Sequence, residues 1–310
     1  MAHFSDYLRK PEYLFRPSQV GRRVLRALRS TPATATVSLP WGTPITIRPG
    51  EVIGRAIWTT GVYDLAVTEA LWRLIDRDET VVDADANIGY MTSLMARRAG
   101  PRGTVLAFEP HPDVFRDLEE NAAQWRESAG LGQIRLVRAA LGRHSGTQTL
   151  DEGPDFLSNR GTARLAAPEK DTVSAGVGRR FDVDVVTLDE AVTGARPAVL
   201  KIDVEGHELA VLEGATRLLE ARTSRDIIFE DHDTMTCPTG AQLRRYGYSV
   251  FRLAKGLTRP VLSSSGSDIG ARDFAAPSFL ATLDPVRALS RVRPRGWRSL
   301  APRSGPARGR

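Results

Sequence analysis

The stretch Val81-Val82-Asp83-Ala84-Asp85-Ala86-Asn87-Ile88-Gly89-Tyr90 constrains the fold more than any other part of the 310-residue chain. Two apolar residues run into an acid, a loop of small residues follows, and Gly89 opens a helical run that continues to Arg97. This is the pattern of a buried strand, a tight turn and a helix N-terminus, the corner at which open α/β sheets hold nucleotide-like ligands. The chain repeats the unit on either side. Strands are expected at 81–84, 104–109, 134–141, 198–203 and 226–230, alternating with helices at 63–75, 89–99, 112–125 and 208–221. The first of these helices rests on Tyr63, Val67, Ala70, Leu71, Leu74 and Ile75, which fall on one face at spacings of three and four. Repeated βαβ units of this size predict an α/β fold, a doubly wound and mostly parallel sheet with helices on both faces.

Three further segments frame this domain, taken as residues 61–285. Residues 1–60 form an N-terminal extension, with weak helical periodicity over Val20, Val24, Leu25 and Leu28 and then a β-hairpin of Ala35–Leu39 and Thr43–Ile47 turned by Pro40-Trp41-Gly42. Residues 142–180, rich in Gly, Ser, Thr and charge, break the βα rhythm and read as a hairpin insertion or a lid over the site. A helix near 239–246 and strands at 248–253 and 278–283 complete the pattern.

Charge separates the ends from the body. Residues 286–310 hold eight arginines and no acid, and residues 1–30 carry a net +5, so a total of +6 leaves the middle at −7. An Arg/Pro/Gly-rich terminus offers little to bury, so 286–310 is expected to be a disordered basic tail, with nucleic acid not an expected partner. No apolar run reaches the roughly 18 residues of a membrane span. The first residues lack the apolar core of a signal peptide, and the lone Cys237 excludes an intramolecular disulfide, so a cytoplasmic location is expected.

Asp83, Glu109 and Asp203 each stand at the carboxyl end of an expected strand, and in a doubly wound sheet those ends meet at one crevice. Glu109 follows Gly89 by twenty residues, the usual interval to a carboxylate that binds a ribose diol. No Gly-x-Gly-x-x-Gly follows the first strand, which argues against a dinucleotide-dependent dehydrogenase. Asp83 through Tyr90, Ala107-Phe108-Glu109-Pro110, Thr187-Leu188-Asp189 and Leu200-Lys201-Ile202-Asp203-Val204-Glu205-Gly206-His207-Glu208 together resemble the FkbM family of S-adenosylmethionine-dependent methyltransferases over roughly residues 60–255.

The resemblance implies a Rossmann-like class I methyltransferase that methylates oxygen on small molecules or natural products. It implies that the loop Asp83, Asp85, Asn87, Gly89 and Tyr90 holds the methionine part of the cofactor. Glu109 and Pro110 would lie at the ribose, and Ala140 by the adenine. Asp203, Glu205 and His207, at the exit of the 198–203 strand, are the candidate catalytic residues, with His207 a candidate base at a reference pKa of about 6.5. Asp203 with Glu230 and Asp231 resembles the Mg²⁺ site of catechol-type O-methyltransferases, since oxygen ligands suit that ion. One position departs from the family pattern: Asp85 stands where glycine is usual. Its carboxylate is expected to repel the cofactor's own and to weaken binding, which keeps open a rival reading, a methyltransferase-like binding or scaffold protein without turnover.

Overall fold

The computed structural model describes residues 11–16, 18–27, 30–126, 128–166, 178–231, 237–264 and 277–301. Helices α1 (Pro11–Leu14) and α2 (Ser18–Ala27) precede the expected hairpin, β1 (Ala35–Ser38) with β2 (Pro44–Ile47), paired from Ala35 opposite Ile47 to Ser38 opposite Pro44. Helix α3 (Val52–Thr60), which the sequence reading did not include, leads to α4 (Leu65–Leu74). Five of its nine residues are β-branched (Val52, Ile53, Ile57, Thr59 and Thr60), so propensity gives little helical signal and packing supplies the rest.

The main run follows as β3 (Thr80–Ala84), α5 (Tyr90–Ala99), β4 (Thr104–Phe108), α6 (Pro112–Trp125) and β5 (Gln133–Val137). The expected strand 134–141 divides here: β5 stays in the main sheet, while β6 (Ala140–Leu141) joins β7 (Gly146–Asp151), β8 (Arg164–Leu165) and β9 (Arg180–Val186) in a small sheet of order β6-β9-β7-β8. The described part of the segment 142–180 is thus a hairpin-built insertion, with residues 167–177 outside the described residues. The chain returns through α7 (Leu188–Ala191) to β10 (Pro197–Ile202), α8 (Glu208–Glu213), α9 (Thr216–Glu220), β11 (Asp226–Glu230) and α10 (Pro238–Arg245). The expected helix 208–221 is two helices because the chain presses on the insertion at Gly214, where a Cβ would lie 2.1 Å from the Gly142 carbonyl oxygen. Strands β12 (Ser249–Lys255), β13 (Pro260–Ser263) and β14 (Ser278–Thr282) and helix α11 (Pro285–Val292) end the order.

The eight-stranded sheet runs β13-β12-β14-β11-β10-β3-β4-β5. Strands β11, β10, β3, β4 and β5 are parallel, and β14 lies antiparallel between β11 and β12. The order reverses direction between β3 and β10, the switch point at which such sheets open a crevice. Alternation along β3 sends Val81 into a core with Leu71, Leu94 and Met95, and Val82 and Ala84 into the opposite core with Leu200, Leu212 and Leu219. The N-terminal hairpin and α3 belong to the first core through Trp41, Ile45, Ile47 and Ile57.

The expected disordered tail needs correction over 286–301. Helix α11 packs on the domain, Ala288, Val292, Trp297 and Leu300 are buried, and Arg287 donates to Asp226 Oδ2 at 3.0 Å and Asp76 Oδ2 at 2.6 Å. Arginines counted as tail charge are therefore counterions of the folded body. Residues 302–310 lie outside the described residues.

Candidate functional site

Three left-handed residues within five, Asp85 (φ 63°), Asn87 (φ 50°) and Gly89 (φ 89°), coil the turn between β3 and α5. The coil aims its amides inward and across. Ala86 N–H donates to Phe108 O at 2.8 Å, Gly89 N–H to Ala86 O at 2.9 Å, and Asn87 N–H to Glu109 Oε2 at 2.9 Å. Gly89 is required twice, by its positive φ and because a Cβ would come within 2.7 Å of both Leu118 and Trp125.

At the switch point the central group is Lys201, which sits directly across from Asp83 in the β3–β10 register. Its ammonium donates to Ala84 O (3.3 Å) and Asp85 O (3.2 Å) and lies 3.4 Å from Asp83 Oδ1 and 3.5 Å from Asp203 Oδ2. Asp83 is fully buried and also accepts from Thr92 Oγ1 at 2.6 Å. Burial alone would lower the Lys201 pKa, but the charges of Asp203, Asp83, Asp85 and Glu230 outweigh it and hold the ammonium ionised. Burial raises Asp83 against the pull of Lys201. The sequence reading did not single out Lys201, although a lysine inside the buried run Val199-Leu200-Lys201-Ile202 already demands a buried partner.

Glu109 is buried and accepts from the amides of Asn87 and His111, at 2.9 Å each, yet burial still lifts its pKa to about 7. Asp85 reaches Glu109 with a side-chain hydrogen bond, and burial together with the charge of Glu109 pushes Asp85 well above the ordinary carboxylate range. The hydrogen bond from Asp85 holds the Glu109 pKa below where burial alone would put it. Asp85 reaches Glu109 and also lines the cavity that holds Pro110 and Ala140.

Pro110, Ala140, Asp85 and His207 line one cavity, floored by Ala139 and Leu141 and covered by Leu150, Ala163, Arg164 and Leu165 of the insertion. Its free volume is about 30 Å³, well below the roughly 300–1,000 Å³ of a pocket around a drug-sized ligand. The insertion is both hairpin and cover. Tyr90 does not face this cavity: its ring packs edge-on to Trp41 at 5.3 Å and Tyr63 at 6.2 Å, and its hydroxyl meets Thr68 Oγ1 at 3.2 Å, so it is a core residue.

His207 lines the cavity beside Ala140, with Nδ1 buried and without a hydrogen bond, and burial followed by the charge of Arg164 lowers its pKa. Glu205 (φ 51°) and Gly206 (φ 94°) form a turn braced by Glu208, whose Oε1 accepts from Val204 and Gly206 amides at 3.1 Å each. Asp203 stands beside Lys201, and its charge reaches Tyr63, Asp64 and Glu230. Burial and then the charge of Asp203 raise Glu230 to about 9, and burial and then Asp203 also raise the Tyr63 hydroxyl. Neither Tyr63 nor Asp64 was picked out from sequence. Asp64 caps α4 by accepting from Val67 N–H at 3.1 Å.

The Mg²⁺ set does not form. Asp231 turns to the start of α10, where it accepts from Thr239 N–H at 3.2 Å, and among the described residues no three His, Cys, Asp or Glu side chains are grouped to hold a metal ion. His232 and Asp233 lie outside the described residues. The described helices include none long and apolar enough to cross a membrane.

A family model described as the methyltransferase FkbM domain matches residues 83–250. Among relatives, the chain is 30% identical over 195 residues to the hexuronic acid methyltransferase AglP of Haloferax volcanii, covering 63% of this chain and 72% of that one. It is 28% identical over 197 residues to the 31-O-demethyl-FK506 methyltransferase FkbM of Streptomyces tacrolimicus, covering 56% and 73%. A crystal structure of a methyltransferase FkbM from Methylobacillus flagellatus aligns at 14% identity over 68% of this chain and 47% of that chain, with a TM-score of 0.45.

Proposed function

The chain belongs to the FkbM methyltransferase family, and on that premise we propose that it transfers a methyl group from S-adenosylmethionine to a hydroxyl oxygen of a small-molecule acceptor, a natural product or a sugar. The observation that carries this reading is the convergence of Asp83, Glu109, Lys201 and Asp203 around the β3–β10 switch point. The named relatives support oxygen as the acceptor atom, since one acts on a 31-O-demethyl compound.

The small side chains of Ala139 and Ala140 beside Pro110 suit a flat adenine, and the buried Glu109 oxygens suit a ribose diol. The loop from Asp85 to Gly89 would run along the methionine part. Asp83 is sealed beneath that loop and acts by positioning Lys201. The bound cofactor supplies an electrophilic methyl on a sulfonium. The protein must then hold the acceptor in line and take its proton. Asp203 is the carboxylate suited to that task, because it is partly exposed and held by Lys201, whereas Glu230 keeps its proton at neutral pH and can only donate. Asp203 would accept the hydroxyl proton when the methyl is transferred to the acceptor oxygen. His207, on the adenine side, would contact the cofactor.

Calorimetry with S-adenosylmethionine and S-adenosylhomocysteine, followed by transfer of a labelled methyl to a panel of hydroxylated metabolites, tests the reading. Absence of binding at roughly millimolar ligand would sink it. Binding without transfer to any acceptor would favour a scaffold. Asp203→Asn is expected to lower kcat by about a hundredfold with cofactor affinity retained.

A further inference from the structure

The ring of His111 joins the Glu109-Pro110 segment of the body to the insertion. We propose that His111 is a positioning residue, the clamp that holds the insertion closed over the Ala140 cavity, and that ligands enter and leave that cavity as the clamp opens. The clamp stands on contacts within the protein, while its part in cofactor exchange rests on the methyltransferase reading above.

His111 is 1% exposed. Its amide donates to Glu109 Oε1 at 2.9 Å, its Nδ1 accepts from the Asp113 and Val114 amides at 3.2 and 3.4 Å as the N-cap of α6, and its Nε2 meets Glu152 Oε1 at 3.0 Å. Two amides pointing at Nδ1 leave no place for a proton there, so the neutral ring carries its proton on Nε2 and donates it to Glu152. The ring also stacks on Phe156, with centroids 4.5 Å apart, and meets Phe181 edge-on at 4.9 Å. Glu152 follows Leu150 by two residues, and in the small sheet Leu150 lies opposite both Leu165 and Phe181. Leu150 and Leu165 cover the cavity, so what holds Glu152 and Phe181 holds the cover.

A free volume of about 30 Å³ admits nothing of nucleoside size, so the cover must lift for any such ligand. Arg160 and Arg179 also tie the insertion to α6, through Asp117 and Asp113, but a guanidinium stays charged at every working pH. His111 can change state. A second proton would fall on Nδ1, facing two amide N–H groups at the positive end of the α6 dipole, and the ring could not stay in the cap. Burial disfavours the charged ring more than Glu152 and Asp113 favour it, and Arg160 adds to the effect, so the pKa lies below the ordinary 6.5. Arg179 is bound to Glu152 and Asp113, at 2.6 Å each, and Glu109 meets His111 through the amide. The clamp's contribution is therefore fully present above about pH 6.5 and is lost as the pH falls through the lowered value.

Hydrogen exchange on the full chain without ligand tests the clamp, with rates corrected for the intrinsic effect of pH. Between about pH 8 and about pH 5, protection of the β7 and β8 amides should fall by about tenfold or more, while β3 and β4 keep theirs. His111→Asn keeps an oxygen to cap α6 but is too short to reach Glu152. Its β7 and β8 protection should already be about tenfold lower at about pH 8 and should not change by about pH 5, with α6 unaffected. Loss of α6 protection alongside would make His111 a helix cap alone and overturn the proposal, and so would a variant as protected as the unaltered protein. Stopped-flow binding of S-adenosylhomocysteine should show association and dissociation both about tenfold faster in the variant, with the dissociation constant changed by less than about threefold. Faster dissociation alone would tie His111 to affinity rather than to exchange and overturn its part in ligand entry. Absence of binding to either protein would instead overturn the cofactor reading, and the hydrogen-exchange result would still decide the clamp.

Discussion

The two ends of the central strands are built from the same kinds of ionisable residue in different proportions. At the amino ends, Glu69, Asp76, Glu79 and Asp226 meet Arg73, Arg225, Arg287 and Arg291, four acids with four arginines. At the carboxyl ends, Asp83, Asp85, Glu109, Asp203 and Glu230 gather around the single ammonium of Lys201. The first arrangement can be satisfied within the protein. Among the described residues the second holds more acids than cations, an arrangement suited to a cationic ligand, and S-adenosylmethionine would bring a sulfonium and an ammonium. The difference teaches that one end is built for holding and the other for binding, and each end should respond to mutation and pH in its own way.

The largest effect is expected at the balanced end. Arg73 and Glu69 are fully buried, 2.6 Å apart, and Arg73 also holds the carbonyls of Arg291, Val292, Pro294 and Gly296 while Glu69 accepts from the Arg298 and Ser299 amides. Arg73→Ala strands a buried carboxylate and undocks the 291–299 segment, at a cost of about 3–5 kcal/mol in urea unfolding. A loss below about 1 kcal/mol would mean that the C-terminal segment contributes little to the fold. At the other end, Lys201→Met should cost less, about 1–3 kcal/mol at neutral pH, and the loss should shrink towards pH 5 as Asp83 and its neighbours take up protons in place of the ammonium. Equal, pH-independent losses at the two ends would remove the contrast.

These ends also differ in how far the sequence revealed them. Strand β3, the turn to Gly89, Glu109 and Asp203 were legible because alternation and turn chemistry are local properties of the chain. The arginine network was not, because Arg287 and Arg291 read as one-signed charge until α11 lies against Asp76 and Asp226, which come from elsewhere in the chain. The strand expected at 134–141 failed for a similar reason: Val137 O and Ala140 belong to different sheets, a choice made by Glu109 N–H and by Val185 rather than by the apolar pattern. Tyr90 was assigned to the ligand by its place in a motif, whereas its ring is claimed by Trp41 and Tyr63 from segments outside that motif.

The pH dependence of stability should split along the same line. Glu230, raised to about 9 against an ordinary value of 4.5, binds its proton in the folded state over a range where the unfolded chain has lost it. Its contribution is therefore fully present below about pH 4.5 and is lost as pH rises through 9. Asp76 has the opposite sign: hydrogen bonds from Arg291 and Arg287, with their charges, outweigh burial and lower it, so its contribution is present above the ordinary carboxylate value and is lost in acid. Urea midpoints from pH 3 to 9 should fall at both extremes. Glu230→Gln should flatten the alkaline limb and Asp76→Asn the acid limb, and a variant that flattened both would show that the two ends titrate as one system.

The smallest effect belongs to Asp85→Gly, and it is the most informative about the crevice. Glycine relieves a side chain held at φ 63° but also loosens the unfolded chain, so the net change in stability should stay within about 1 kcal/mol. What changes is Glu109. Without Asp85 it loses a hydrogen bond that holds its pKa down, so its pKa rises from about 7 and it presents fewer ionised oxygens to a ribose diol near neutral pH. Weaker binding of S-adenosylhomocysteine by the variant should therefore appear near pH 7 and fade as the pH rises and Glu109 ionises in the variant as well. A gain of the same size at every pH would mean that Asp85 acts on the cofactor's charge directly. That result would return the carboxyl to the position the sequence suggested and remove Glu109 from the explanation.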